Sequence, residues 1–320
     1  MWGWLRRRLL ISIPVLLGIT SLMFVMLRST PGDPVRYLVD PITMAGASDE
    51  YVEARRRELG LDKPLPVQYV VWLGELARGN LGYSYLTGRP VGEMVLERVG
   101  PTVRLMGSAL IIALLIGIPL GTLAALKQYS ALDYVIAVLS LTAVSVPLFF
   151  VALAAIYFFS LRLDLVPIGG MFPLDRPPTI LDELRHLALP ATILALNLAG
   201  PVIRYTRASV LEVLRQDFLV TARAKGLPER RVIRVHLLPN ALIPVISVVG
   251  VLIPVLFAGS VIVEQIFSWP GMGQLMLLAV GQRNYPVLMG ITLVVAIVVL
   301  ATSLLTDVAY ALTDPRIRFK

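Results

Sequence analysis

Few residues of this 320-residue chain are of types that do chemistry in an apolar medium. Glu264 and Asp307 are carboxylates at the ends of long apolar runs, where a secondary transporter or channel could couple solute movement to protons or sodium ions. Both stand at edges, so interfacial solvation or helix capping accounts for them equally well. His186 and His236 are 50 residues apart, each beside an apolar run; they read as interfacial polar groups rather than as a metal pair. The absence of cysteine removes disulfides, thiolate metal sites and cysteine nucleophiles. The sequence contains no G-x-x-x-x-G-K-[ST] run to cradle nucleotide phosphates, and neither G-x-S-x-G nor H-E-x-x-H. An intramembrane enzyme therefore has no motif to carry it.

The elements that would position these residues are helices in lipid. The chain is 57% hydrophobic and only 16% charged, with mean hydropathy +0.77, whereas a soluble chain carries about a quarter charged residues. Six stretches free of charge approach or exceed the ~20 helical residues that cross a bilayer core: Leu9–Leu27, Leu105–Leu126, Tyr134–Ser160, Leu187–Ile203, Leu237–Val263 and Pro286–Thr306. A further apolar run, Gln265–Gln282, contains Pro-Gly and Gly-x-Gly and reads as re-entrant or interfacial. Arg6, Arg7 and Arg8 precede the first run as in a signal peptide, but "RSTPGDP" follows it instead of a small-x-small site, so it reads as an uncleaved span. The fold class is an all-α polytopic membrane protein with six transmembrane helices.

Charge gives the orientation. With both termini in the cytoplasm, inner segments hold 15 cations and the short outer loops four: Arg162, Arg176, Arg185 and Arg283. The ten others lie in the long loop after span one, a length at which charge stops controlling translocation. The net charge of +8 thus reports topology and implies no nucleic-acid partner. This divides the chain into an N-terminal segment and first span (1–27), a long outer loop with short helices (28–104), and a core (105–320) holding a cytoplasmic loop (204–236) and the outer segment 264–285. In the outer loop "SDEYVEARRRELG" reads as a helix started by Ser48 or Asp49 and stopped by Gly60, and "PVQYVVWLGELARGN" as a second, opened by Pro66 and closed by Gly79-Asn80. "PVGEMVLERVG" reads as an interfacial helix with Val91, Met94, Val95 and Val99 on one face.

The cytoplasmic loop is the most informative stretch. "RASVLEVLRQDFLVTARAK" places Leu211, Leu214, Phe218 and Ala222 at helical spacing. Gly226 supplies a residue for positive φ at the helix end, and Pro228 starts a second helix. The expected unit is helix, tight turn, helix, presenting an apolar face (Leu219, Ala222, Leu227) ringed by cations. Docking of a partner protein and binding of lipid headgroups both suit such a surface.

With Gly226 followed by Leu238-Pro239, this loop resembles the cytoplasmic loop of ABC importer permeases, which carries a short coupling helix that sits in a groove of the ATPase. The usual Glu-Ala-Ala is replaced here by Val220-Thr221-Ala222, and "DFLVTARAKGL" is similar to the dipeptide/oligopeptide/nickel branch. "STPGDPV", Glu264–Gly290 and "LTDPRIRF" extend the resemblance, and "GRPVGEMVLERVGPTVRL" resembles the first of the two permease subunits. Asn284 departs from the branch, which often has aspartate there.

The resemblance implies the type I ABC importer permease fold and a multi-pass protein of the bacterial or archaeal cytoplasmic membrane. It implies a second homologous permease, two ABC ATPase subunits and an extracytoplasmic solute-binding protein as partners, with no cofactor on this chain and ATP with Mg on the ATPases. It makes Asp217, Phe218, Thr221, Ala222, Arg223, Ala224, Lys225, Gly226, Leu227, Pro228, Leu238 and Pro239 the ATPase-coupling residues. Glu264, Phe267, Pro270, Gly271 and Gly273 are expected at an outer gate or binding-protein contact. Peptides or a related small solute are the implied cargo. Prolines 14, 119, 147, 190, 201, 244 and 254 fall in or at the ends of the spans; each removes one helix hydrogen bond and suits a bundle that rocks.

Overall fold

The structure is a computed structural model and describes residues 2–29, 35, 49–58, 60–173 and 175–313. Most of "STPGDPV", most of "LTDPRIRF" and the Ser48 cap lie outside the described residues. Among those described the chain is helical, and an isolated bridge between Tyr83 and Pro90 is the β pairing present. The helices are α1 (Trp2–Ser29), α2 (Asp49–Glu58), α3 (Leu65–Ala77), α4 (Val91–Leu126), α5 (Ala131–Ser145) and α6 (Leu148–Arg162, ending in π turns). They continue with α7 (Ile180–Leu214), α8 (Asp217–Ala224), α9 (Glu229–Ala241, with π turns over Val232–Leu237), α10 (Ile243–Ile266), α11 (Met272–Gly281) and α12 (Tyr285–Thr313).

Among the described residues four helices are long and apolar enough to cross a membrane, and the number is six if each of two bent pairs is one span. The third and fifth expected spans are these bent pairs, a correction to their reading as single helices. α5 and α6 meet at 98° across Val146-Pro147, and α9 and α10 at 47° beside Pro244. Pro147 disfavours helical backbone at Val146, which is extended at φ −81°, ψ 128°. By contrast Pro14, Pro119, Pro190, Pro201 and Pro254 are held inside continuous helices. α4 also runs unbroken through Pro101, so the expected interfacial helix at 91–99 is the first part of a 36-residue one.

Contacts divide the chain into two units that cut across its linear order: Met1–Gly100 with Gln274–Leu300, and Pro101–Gly273 with Ala301–Lys320. In the first unit α2 stops at Gly60 (φ +64°) and α3 stops before Gly79 (φ +81°), as expected. Tyr69 of α3 hydrogen-bonds Thr20 (2.9 Å) and Ser21 (2.8 Å) of α1. Asn284 is buried, donates to Ser84 Oγ (2.8 Å) and accepts from Tyr85 N (3.3 Å). The carboxamide supplies a donor and an acceptor to the Ser84-Tyr85 segment at once, which an ionised aspartate cannot do.

In the second unit α7 is the centre. Thr179 and Asp182 cap it reciprocally in a capping box, and its residues Leu189 to Val202 form a core with Leu105, Ala109 and Ala113 of α4 and Leu252, Leu256 and Val263 of α10. Small residues let backbones close in, as in lipid they must. A Cβ on Gly200 would stand 2.6 Å from the Ser140 carbonyl, and one on Gly121 2.7 Å from that of Ile203. Large apolar side chains such as Leu10, Leu115, Val138, Phe150 and Leu153 are exposed along the helices, the pattern of a surface covered by lipid or protein.

Candidate functional site

Two sets of candidate residues fall in the second unit. The first is the loop after α7. Its periodicity suggested one helix through residue 225, but the chain turns at Arg215-Gln216, and Gln216 takes an extended N-cap conformation (φ −81°, ψ 140°) before α8 begins at Asp217. α8 ends in a Schellman motif. Gly226 N donates to the Arg223 carbonyl (2.9 Å), Leu227 N to that of Ala222 (3.4 Å), and Gly226 sits at φ +76°. A Cβ there would meet nothing within 4 Å, so backbone conformation, not crowding, calls for glycine. Pro228 caps α9, and the Arg223 guanidinium bridges the turn to Glu229 with bonds of 3.1 and 2.7 Å.

The inner side of this unit is apolar. Leu219 and Ala222 are buried with Ala125, Val210, Val232, Leu237 and Ala241, and Leu227 is half-buried against them. This corrects the expected surface, because Leu219, Ala222 and Leu227 do not face outward: they fasten α8 to the protein. The outward side instead carries Phe218 (42% exposed) and Val220 (59%) with Asp217, Thr221, Arg223, Ala224, Lys225 and Gly226. Pro228 and Pro239 are exposed and Leu238 half-buried. An exposed phenylalanine and valine beside cations and a bare glycine make a surface suited to a protein groove.

An ion pair braces this region that sequence reasoning did not single out. Arg207 on α7 grips Asp133 at the start of α5 in bidentate fashion, Nε–Oδ1 and Nη2–Oδ2 both 2.7 Å. Asp133 also accepts from Tyr129 N (3.0 Å), and its own amide donates to the Ser130 cap (3.3 Å). The legible signal was Ser130-x-x-Asp133, a helix start whose acid has capacity left for an arginine.

The second set surrounds Glu264 at the end of α10. The carboxylate was expected at an interface; it is 0% exposed. Oε1 accepts from Thr102 Oγ1 (2.8 Å), which accepts in turn from Met272 N (2.8 Å). Gly271 lies directly against the carboxylate, and a Cβ on Gly273 would stand 2.6 Å from Val261 Cα. The turn between is pinned by Trp269, whose amide donates to the Glu264 carbonyl (2.8 Å) and whose indole donates to that of Pro101 (2.9 Å). The buried Phe267 accepts from Gly170 N (2.7 Å), and His186 Nδ1 lies 3.1 Å from the Gly169 carbonyl.

Glu264, Phe267, Gly271 and Gly273 are thus brought together, with Pro270 half-buried beside them. Glu264, Phe267, Gly271 and Gly273 are buried within the turn and present little surface of their own. Gln265 and Ser268 are the exposed positions of the turn.

Residues 117–319 match the family described as binding-protein-dependent transport system inner membrane component, and residues 1–106 match the N-terminal region described for the same membrane component. The oligopeptide transport system permease protein AppB of Bacillus subtilis is 42% identical over 320 residues, covering all of both chains. The di/tripeptide transport system permease protein DppB of Pseudomonas aeruginosa is 39% identical, with 99% of each chain covered, and the dipeptide permease protein DppB of Escherichia coli K12 38%, with 98% of each. Among solved structures, an inward-facing MetNI methionine ABC transporter superposes with TM-score 0.56 at 15% identity, covering 69% of this chain and 96% of that one. An amino acid ABC transporter solved with histidines gives 0.52 at 16%, covering 69% and 94%. The fold is that of ABC transporter membrane subunits, and by sequence the chain belongs to the binding-protein-dependent transport system inner membrane component family.

Proposed function

We propose that this chain is the peptide-conducting permease subunit of an ATP-driven importer, one half of a pathway completed by a second permease. Its solute arrives on an extracytoplasmic binding protein, and two ABC ATPases on the cytoplasmic side supply the energy. The observation that carries this reading is the two-sided helix α8, anchored by Leu219 and Ala222 and exposing Phe218 and Val220 beside Arg223 and Lys225. A helix so mounted transmits force: its inner face holds to α7 and α9 while its outer face holds to a neighbour. The names of the relatives supply the cargo class.

Both termini are cytoplasmic in this reading, since the charge count puts 15 cations on that side against four on the short outer loops. This chain binds no cofactor and catalyses nothing; ATP and Mg belong to the ATPases. ATP binding draws the ATPases together and moves α8, and the differential contact of α8 in the two states is the coupling energy. The Glu264 cluster serves as the rigid frame of the outer gate.

The test is uptake of labelled trialanine into proteoliposomes. The full assembly, with both permeases, the ATPases and the binding protein, is expected to accumulate peptide only with ATP. Uptake by this chain alone, driven by an ion gradient and indifferent to ATP, would overturn the reading in favour of a secondary transporter.

A further inference from the structure

The bend between α5 and α6 breaks a helix at the middle of a span. Three contacts set its depth, because they tie α5 to the antiparallel α7 in register. Arg207 grips Asp133 at 2.7 Å, a Cβ on Gly200 would stand 2.6 Å from the Ser140 carbonyl, and Asn197 Nδ2 donates to the Ala143 carbonyl at 3.2 Å. Each step along α5 is matched by an equal step back along α7, so Val146 and Pro147 stand level with Leu194 and Ile193. Leu194 lies inside the uncharged run Leu187–Ile203. At about 1.5 Å per residue it is about 10 Å from the first residue of that run and about 14 Å from the last. The break therefore sits near the bilayer midplane.

The backbone at this depth is left open. α5 ends with Val146 N donating to the Thr142 carbonyl (3.2 Å), and α6 begins with Phe150 N and Val151 N sharing the Pro147 carbonyl (3.0 and 3.3 Å). The carbonyls of Val144, Ser145 and Val146 and the amides of Leu148 and Phe149 have no hydrogen-bond partner among the described residues. The nearby hydroxyls supply none, since Thr142 Oγ1 and Ser145 Oγ donate back to the Val138 and Leu141 carbonyls (both 2.9 Å). Ser145, Pro147 and Phe149 are exposed, and Val146 and Leu148 half-buried, so the bend lies at the surface of its unit. Hydrocarbon offers such groups nothing, and irregular backbone at membrane depth persists only where protein or water meets it. A dry contact with another protein would need several matched partners in one place, whereas water supplies them all.

We propose that the bend 144–149 lines the water-filled path of the solute, where its carbonyls and amides exchange water for the main chain of a passing peptide. Acceptors and donors side by side match the amides and carbonyls that every peptide carries, whatever its side chains. That suits a conduit for varied peptides better than a selective pocket. The inference rests on the reading of the chain as a peptide permease, which supplies the solute.

The experiment uses the absence of native cysteine. Ser145→Cys and Thr142→Cys, both at exposed positions beside the bend, are compared with Leu115→Cys. Leu115 is 69% exposed in the middle of the uncharged run Leu105–Leu126, which makes it a control at similar depth. The full assembly, in phosphatidylcholine nanodiscs, is treated with a trimethylammonium methanethiosulfonate that does not enter lipid, and label on this chain is followed with time. A thiol must ionise in water to react, so Ser145→Cys should react about tenfold faster than Leu115→Cys, and Thr142→Cys should follow it. In proteoliposomes, the same modification should abolish ATP-driven uptake of trialanine by the Ser145→Cys assembly and leave that of Leu115→Cys intact. Labelling at both bend positions no faster than at Leu115, or rapid labelling that leaves uptake unchanged, would overturn the proposal. Slow labelling beside intact ATP-driven uptake sinks the bend alone. Rapid labelling that blocks a gradient-driven uptake by this chain alone keeps the path and sinks the importer reading.

Discussion

The α8 loop and the Glu264 turn look alike in sequence, each a short glycine- and proline-bearing interruption beside long apolar runs, yet they are built on opposite principles. In the α8 loop Gly226 faces open space and is required by a positive φ. In the Glu264 turn Gly271 and Gly273 have no room for a Cβ and are required by close approach. One loop has an inner face that holds and an outer face left exposed; the other is buried except at positions such as Gln265 and Ser268. The difference is between a half-exposed helix and a packed turn, and substitutions can break each design in its own way.

The largest effect is expected at the anchor of α8. Leu219→Ala should destabilise the protein by about 2–5 kcal/mol, as for a fully buried leucine, read as a lower midpoint in thermal unfolding in detergent. Next comes Gly271→Ala, which presses a methyl group against the Glu264 carboxylate and should destabilise by about 1–3 kcal/mol in the same assay. Equal stability of Gly271→Ala and wild type would dissolve the contrast between the two loops. Gly226→Ala should be smaller, about 1–2 kcal/mol for an alanine at left-handed φ, and Gly226→Asn smaller still, because asparagine tolerates that region. Smallest is Arg223→Gln, below about 1 kcal/mol, since the pair with Glu229 is half exposed.

Much of this architecture was legible. Runs without charge gave the helices, Gly60, Gly79 and Gly226 gave their stops, and Pro228 gave a start. What failed did so for physical reasons. A proline interior to an apolar run reads the same whether neighbours hold it in a helix, as at Pro201, or the chain bends by 98°, as at Pro147. Helical spacing finds an apolar face but not its direction, so Leu219, Ala222 and Leu227 were expected to face a partner when they face α7 and α9. Burial of a carboxylate is likewise invisible in sequence: Thr102, which donates to Glu264, comes from a distant segment, and Gly271, packed against the carboxylate, has no side chain to read. Asn284 looked like a minor departure and proves to be a buried link to Ser84 and Tyr85.

The most direct test of the account is copurification. The chain is tagged in its native host and extracted in mild detergent, wild type beside Phe218→Asp and Gly226→Asp, and the eluted proteins are identified by mass spectrometry. Both changes lie on the exposed side of the α8 unit and leave its buried anchor in place. The account predicts that a P-loop ATPase elutes with the wild type and is lost from both variants, while both insert, Phe218→Asp unfolds near the wild-type temperature and Gly226→Asp lowers it no more than Gly226→Ala does. An ATPase retained equally by all three chains, or absent from intact wild type, would contradict the assignment of α8 as the coupling element.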